Sequence, residues 1–291
     1  MLNRQKTLIQ ILKVAARPVS RFELTKWSFL LRHEFPSAGG SSFYDFVPYQ
    51  YGPFSFSLYQ ELDRLEAMSF VRQTEESVCV DDHRLAQNIT IESKDVAADV
   101  VAVFRRFGDA RRDDLIEHVY NNYPEYTCNS RIRRLATRPV AKPAVFTAGY
   151  EGRSVDSFLN LLVQSGIQRL IDVRRNPIAR RYGFHRSTLA RLSNRLEIEY
   201  VHVPTLGIAS EKRRELNNAS DYRVLFDDYR SGTLRDEKQA INEVSSLVME
   251  RPSVLVCMEK DPEFCHRSAL ADEVSKQTRL SIRNLGCEHG C

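Results

Sequence analysis

Residues 144–174 read AVFTAGYEGRSVDSFLNLLVQSGIQRLIDVR, and their pattern changes period twice. A short apolar β-favouring run, AVFTAGY, passes through a polar turn into SVDSFLNLLVQSG, whose apolar residues fall at helical spacing. RLIDVR then returns to an apolar strand pattern. Strand, helix, strand over about thirty residues is a crossover unit, which implies parallel strands. The pattern continues outward: HRSTLARLSNRL predicts a helix, IEYVHVP a strand, and residues 221–249 a long helical stretch. SVLVC is a further strand, and a helix follows Arg267. This half of the chain, residues 144–291, is therefore expected to be an α/β domain with a parallel sheet flanked by helices.

The other half reads differently. QKTLIQILKVAA is helical until Pro18, and SRFELTKWSFLLRHEF opens on Ser20 with Glu23 three residues later, the pattern of a capping box. After the glycine-rich SAGGSS, the segment YQYGPFSFSLYQELDRLEAMSFVRQ predicts a turn at Gly52-Pro53. It continues as a helix with Leu58, Leu62 and Leu65 on one face and a strand from Phe70. Three helices followed by the β-rich SVCVDDHRLAQNITI is the order of a winged helix-turn-helix. Two amphipathic segments, DVAADVVAVFRRFG and RRDDLIEHVYNNYPEY, complete a mostly α, winged-helix-like domain over residues 1–137. TRPVAKP, residues 137–143, marks the boundary through its two prolines.

At 291 residues and 42% hydrophobic content, the chain has length and apolar material for two cores, and it lacks the composition of a disordered protein. No apolar run approaches the roughly 18 residues needed to span a bilayer, and MLNRQKTLIQILKVAARPVS lacks the apolar core and cleavage site of a signal peptide. The expectation is a cytoplasmic protein without membrane partners. Six cysteines are too few for a disulfide scaffold and would be reduced there; four of them lie in the last 35 residues.

Net charge of +4 permits nucleic-acid binding without demanding it. Its distribution is more telling. Residues 169–195 hold eight arginines, one aspartate, no glutamate and no lysine. Arginine's planar fork suits bidentate contact with phosphate. IDVRRNPIARRYGFHR places Asp172 and Arg174 on one face of a strand end, either as a structural ion pair or as the rim of a polyanion site. Arg180, Arg181 and His185 follow in a loop with Tyr182 and Phe184, rings that can stack on bases.

The stretch CMEKDPEFCHRSALADE sets Cys257 at a strand end against Cys265, His266 and Arg267 at a helix start, where free N–H groups and the dipole favour anions and thiolates. Strand ends of parallel sheets collect ligands, and here they carry Tyr150, Glu151, Asp172, Arg174, His202 and Cys257. The candidate catalytic residues are Asp172, Glu151, Cys257, Cys265 and His266. The candidate phosphate-binding residues are Tyr150, Arg174, Arg180, Arg181, His185 and Arg267. Cys287, His289 and Cys291 with Cys257, Cys265 or His266 could complete a four-ligand zinc site, but the spacing fits no standard zinc motif, so no metal ligand and no cofactor is assigned.

The segments TAGYEGRS, IDVRRNP, GFHRSTLA, IEYVHVPTLGI and VCMEKDPEFCHRSALADE resemble the family called domain of unknown function 488, over residues 144–285. That resemblance implies a compact α/β domain suspected of enzymatic activity, without a reaction. YGPFSFSLYQELDRLEAMSFV, with FGDARRDDLIEHVYNNYPEY, is similar to the winged-helix domain of the Panacea and SocA-like antitoxin group. It implies a module that binds DNA or a protein partner. The functional expectation is a protein that binds, or also processes, a nucleic acid or nucleotide. Two alternatives stand beside it: a non-catalytic antitoxin-like or defence-associated regulator, and a cysteine-dependent enzyme of sulfur or phosphate chemistry.

Overall fold

The computed structural model describes residues 1–81, 91, 93–209, 211 and 219–287. They form two units, Met1–Thr137 and Arg138–Cys291. No helix among the described residues is long and apolar enough to cross a membrane.

The first unit begins with α1 (Asn3–Ala15), β1 (Val19–Ser20) and α2 (Arg21–Glu34). The capping box forms as the sequence predicts: Ser20 Oγ accepts from the Glu23 backbone N–H at 3.1 Å, and the Glu23 carboxylate accepts from the Ser20 N–H at 2.8 Å. A ribbon of β2 (Val47–Tyr49) and β3 (Gly52–Phe54) leads to α3 (Phe56–Ala67). The turn of that ribbon falls at Gln50-Tyr51 rather than at Gly52-Pro53. Gly52, with φ of +82°, supplies the left-handed residue that reverses the chain, and Pro53 sits in the returning strand opposite Pro48.

Leu58, Leu62 and Leu65 of α3 are fully buried, so the leucine face read from the sequence is the core face. β4 (Val71–Gln73) and β5 (Ser77–Val80) then make a sheet in the order β1-β5-β4, antiparallel throughout. Residues 82–90 and 92 of the β-rich segment lie outside the described residues. α4 (Lys94–Phe107) and α5 (Arg112–Asn122) finish the unit. Its core includes Trp27, Phe29, Leu30 and Tyr120, with the Trp27 indole N–H on the Phe107 carbonyl at 3.2 Å.

The second unit alternates: β6 (Val145–Gly149), α6 (Val155–Gln164), β7 (Arg169–Asp172), α7 (Arg186–Arg195) and β8 (Glu199–His202). α8 (Ala219–Tyr229), α9 (Lys238–Glu250), β9 (Ser253–Cys257), α10 (His266–Thr278) and β10 (Ile282–Leu285) follow. All five strands pair in parallel, in the order β10-β6-β9-β7-β8. The inner strands β6, β7 and β9 are buried along their whole length and are mostly apolar, while the buried ends of β7, Arg169 and Asp172, are charged and ion-paired.

Two features differ from the sequence reading. The helix expected over 221–249 is two helices separated by a wider turn at Arg230–Leu234, where Ser231-Gly232 weakens helix continuation. The fifth strand, β10, is an exposed edge carrying Arg283 and Asn284, and so has no apolar run to announce it.

The topology positions a crevice. The chain leaves β9 toward β10, on one side, and leaves the adjacent β7 toward β8, on the other. Outgoing loops diverge at that pair of carboxyl ends, and the loop after β9 and the loop after β7 face each other across the gap.

Candidate functional site

On the β7 side stands a buried ion pair. Asp172, with no solvent exposure, accepts from the Arg174 backbone N–H at 3.1 Å and from Arg174 Nε at 2.8 Å through Oδ1. Its Oδ2 accepts from the second guanidinium arm and, at 2.6 Å, from the Tyr200 hydroxyl. The remaining Arg174 donor reaches the Tyr150 hydroxyl at 2.9 Å and the Phe184 carbonyl at 3.0 Å. Burial opposes the Arg174 charge, yet the bonds and charge of Asp172 outweigh it and hold the guanidinium above its usual pKa. Burial also raises the Tyr200 phenol, and the Asp172 charge raises it further. Two charges that are buried, adjacent and bonded mainly to each other and to the fold make a structural pair.

This arrangement corrects the expectation for Arg174. Its guanidinium is a brace inside the domain, with four of its five N–H donors engaged by Asp172, Tyr150 and Phe184. Asp172 likewise has no open lone pair facing a substrate. Tyr150 stacks on Phe184 with ring centres 4.1 Å apart, so Phe184 is a core ring and does not offer a face to a base.

The loop that follows is the opposite. Arg175, Arg180, Arg181, Arg186, Arg191 and Arg195 are all exposed, as is His185, and Tyr182 is half-buried. Of the eight arginines in the stretch, only Arg169 and Arg174 are buried, Arg169 bonding Glu199 at 2.8 Å and Glu250 at 2.9 Å. Among the described residues no ion pair engages Arg175, Arg180, Arg181 or Arg186. Arg175 also lines a cleft of about 370 Å³ beyond the end of β8, together with Gly207, Asp228, Tyr229, Asp236 and Glu237. Chain and loop touch there: a Cβ on Gly207 would lie 2.0 Å from the Arg175 amide nitrogen.

On the β9 side, Cys257, Cys265 and His266 are buried together. The Cys257 thiol donates to Glu259 Oε2 at 3.1 Å and the Cys265 thiol donates to the same oxygen at 2.9 Å. Cys257 Sγ lies 3.7 Å from His266 Nδ1, and His266 Nε2 lies 3.3 Å from the Val173 carbonyl oxygen, bridging the crevice between the two loops. The Tyr229 ring packs edge-on against the imidazole. Burial, the bond to Cys257 and the Glu259 charge push the Cys265 thiol well above its ordinary pKa, the reverse of what a thiolate nucleophile requires.

Arg267 corrects a second expectation. It is fully buried, with Nη2 donating to the Lys260 carbonyl at 3.0 Å, Nη1 to the Glu259 carbonyl, and Nε to the Thr147 hydroxyl at 3.3 Å. The guanidinium is engaged by the loop's own carbonyls and so braces that loop. Glu151 is exposed and accepts from the Lys260 backbone N–H at 3.0 Å, so it braces the same loop. The Cys287 thiol rests on the Lys260 carbonyl at 3.4 Å, while His289 and Cys291 lie outside the described residues.

The crevice thus brings Asp172, Arg174, Tyr150, Cys257, Cys265 and His266 to one end of the sheet and leaves Arg180, Arg181 and His185 on the surface. Sequence reasoning missed Glu259, Tyr200 and Tyr229 as members. Glu259 alone had a local signal, since it falls two residues after Cys257 on the same loop. A model of the family described as Domain of unknown function DUF488 matches residues 154–274, from the start of α6 into α10. The likeness to that family read from the sequence is thus supported over residues 154–274. The match includes both sides of the crevice and adds nothing to the likeness drawn for residues 51–71. No curated protein and no solved structure matches the chain.

Proposed function

We propose that the DUF488 domain binds a phosphate-bearing polyanion, a nucleic acid or nucleotide, on the exposed arginines of the β7–α7 loop and α7. The supporting observation is the sorting of one short stretch. Its single carboxylate, Asp172, is consumed by Arg174 inside the domain, and six arginines are left on the surface with no acid in the stretch to neutralise them. An array of guanidinium forks with one half-buried ring, Tyr182, matches a phosphate backbone better than a single small anion.

In the first unit, helices α1 to α3 with a sheet in which β1 pairs with the last strand support a winged-helix-like module that binds DNA or a protein partner. The likeness to the Panacea and SocA group and a cytoplasmic setting are part of this reading. The domain is read as a binder. The cysteine-enzyme alternative is disfavoured by a Cys265 thiol pushed up by burial. An antitoxin-like or defence-associated regulator would use the same arginine face as a sensor.

The test is binding of a fluorescent single-stranded oligonucleotide to the full chain. Arg180→Ala with Arg181→Ala is expected to weaken it about tenfold while leaving the thermal melt unchanged, since neither side chain is buried. Equal affinity in the variant removes the arginine face as the binding surface.

A further inference from the structure

The loop joining β9 to α10 gathers three metal-binding atoms around one point and sets a carboxylate beside two of them. Cys257 ends the strand, Glu259 follows two residues later, and Cys265 and His266 begin the helix. Cys257, Cys265 and His266 each present a ligand atom within 4.8 Å of the others, and all three are buried. Glu259 Oε2 lies on the sulfur side of this group, 3.1 Å from Cys257 Sγ and 2.9 Å from Cys265 Sγ. In a tetrahedral zinc site with bonds of about 2.0 to 2.3 Å, neighbouring ligand atoms lie roughly 3.3 to 3.8 Å apart. Cys257 Sγ and His266 Nδ1 are 3.7 Å apart, and the two sulfur–carboxylate edges need only a few tenths of an ångström of expansion.

The surroundings select the form each ligand takes. A backbone carbonyl only accepts, so the contact of His266 Nε2 with the Val173 oxygen, at 3.3 Å, puts the ring proton on Nε2 and leaves the Nδ1 lone pair facing the sulfurs. That is how a ligating histidine is held by a partner behind it. Arg267 fixes the carbonyls of Glu259 and Lys260, and Gly149 allows β6 to lie against the same backbone, where a Cβ would come within 1.8 Å of the Glu259 oxygen. The loop is therefore set before any ion arrives. Two thiolates, an imidazole and one carboxylate suit zinc rather than magnesium or calcium.

We propose that Cys257, Cys265 and His266 form the core of a tetrahedral zinc site, closed by Glu259 turning in from beside the two sulfurs, that clamps the end of β9 to the start of α10. The site is structural: all four positions are filled by protein, and the thiols serve as ligands. It stands apart from the arginine face and does not depend on that face binding anything.

The experiment uses the full chain, stripped with a chelator under reducing conditions and titrated with cobalt, which reports its own ligands. One cobalt per chain is expected, with the thiolate-to-cobalt charge-transfer band and the visible bands of tetrahedral geometry, displaced by one equivalent of zinc. Cys257→Ser and Cys265→Ser should each halve the charge-transfer intensity and weaken binding at least a hundredfold. Glu259→Gln, which leaves both buried thiols in place, should keep that intensity and weaken binding about tenfold. Reduced wild-type protein that takes up no cobalt overturns the proposal, as does a band that survives in the double serine variant. A Cys257–Cys265 disulfide that forms in the presence of equimolar zinc also overturns it.

Discussion

Lys26 shows how burial decides the chemistry of one side chain. It lies in α2 with its ammonium donating to the carbonyls of Tyr51 at 2.6 Å and Pro53 at 3.2 Å. Burial, with the charge of Arg112 added, pushes it down to about 7. Below pH 7 the lysine is protonated in both folded and unfolded states. Between about 7 and its unfolded value of 10.5 the unfolded chain holds more protons, so stability rises with pH, by at most about 1.4 kcal/mol per unit. Urea unfolding between pH 7 and 9 should show this rise in the wild type, and Lys26→Met should flatten it. A wild-type slope equal to that of the variant would place the lysine's titration elsewhere.

Asp172 is the corresponding test in the second unit. Asp172→Asn removes the charge that balances buried Arg174 and should cost about 3 to 5 kcal/mol in chemical unfolding. Loss of nucleic-acid binding without loss of stability would instead make Asp172 a ligand-binding residue.

At the scale of elements, β6 and the loop after β9 depend on the absence of a side chain at Gly149. Gly149→Ala drives a Cβ to 1.8 Å from the Glu259 carbonyl oxygen, so strand and loop must separate. A loss of about 1 to 3 kcal/mol is expected in the melt of the second unit. An unchanged melt would show that the loop is free to shift.

The same elements explain what the sequence could tell. β6, β7 and β9 were legible because strands buried on both faces are mostly apolar, and the Ser20 and Glu23 pair marked the start of α2 because a capping box is a purely local device. β10 was not legible, since an exposed edge strand tolerates Arg283 and Asn284. The site divides in the same way. Asp172 with Arg174, and Cys257 with Cys265 and His266, are close in the chain and could be grouped from it. Tyr200 and Tyr229 join only through tertiary placement. Nor does spacing distinguish an arginine braced inside, such as Arg174 or Arg267, from one left in solvent, such as Arg180. That distinction depends on which carbonyls and carboxylates the fold brings within reach.

For the molecule as a whole, the proposed binding is electrostatic: the exposed arginines of residues 175–195 would meet a polyanion, while the buried charges brace the second unit from within. Binding through four or so of these arginines should release a corresponding number of counterions. A plot of log affinity for single-stranded nucleic acid against log salt should then have a slope near −3. The most direct measurement compares that slope in the wild type and in a variant carrying Arg175→Gln, Arg180→Gln, Arg181→Gln and Arg186→Gln. The wild type is expected to show a steep slope that collapses toward zero in the variant, with both proteins equally stable. A wild-type affinity indifferent to salt, or a slope retained by the variant, would contradict it.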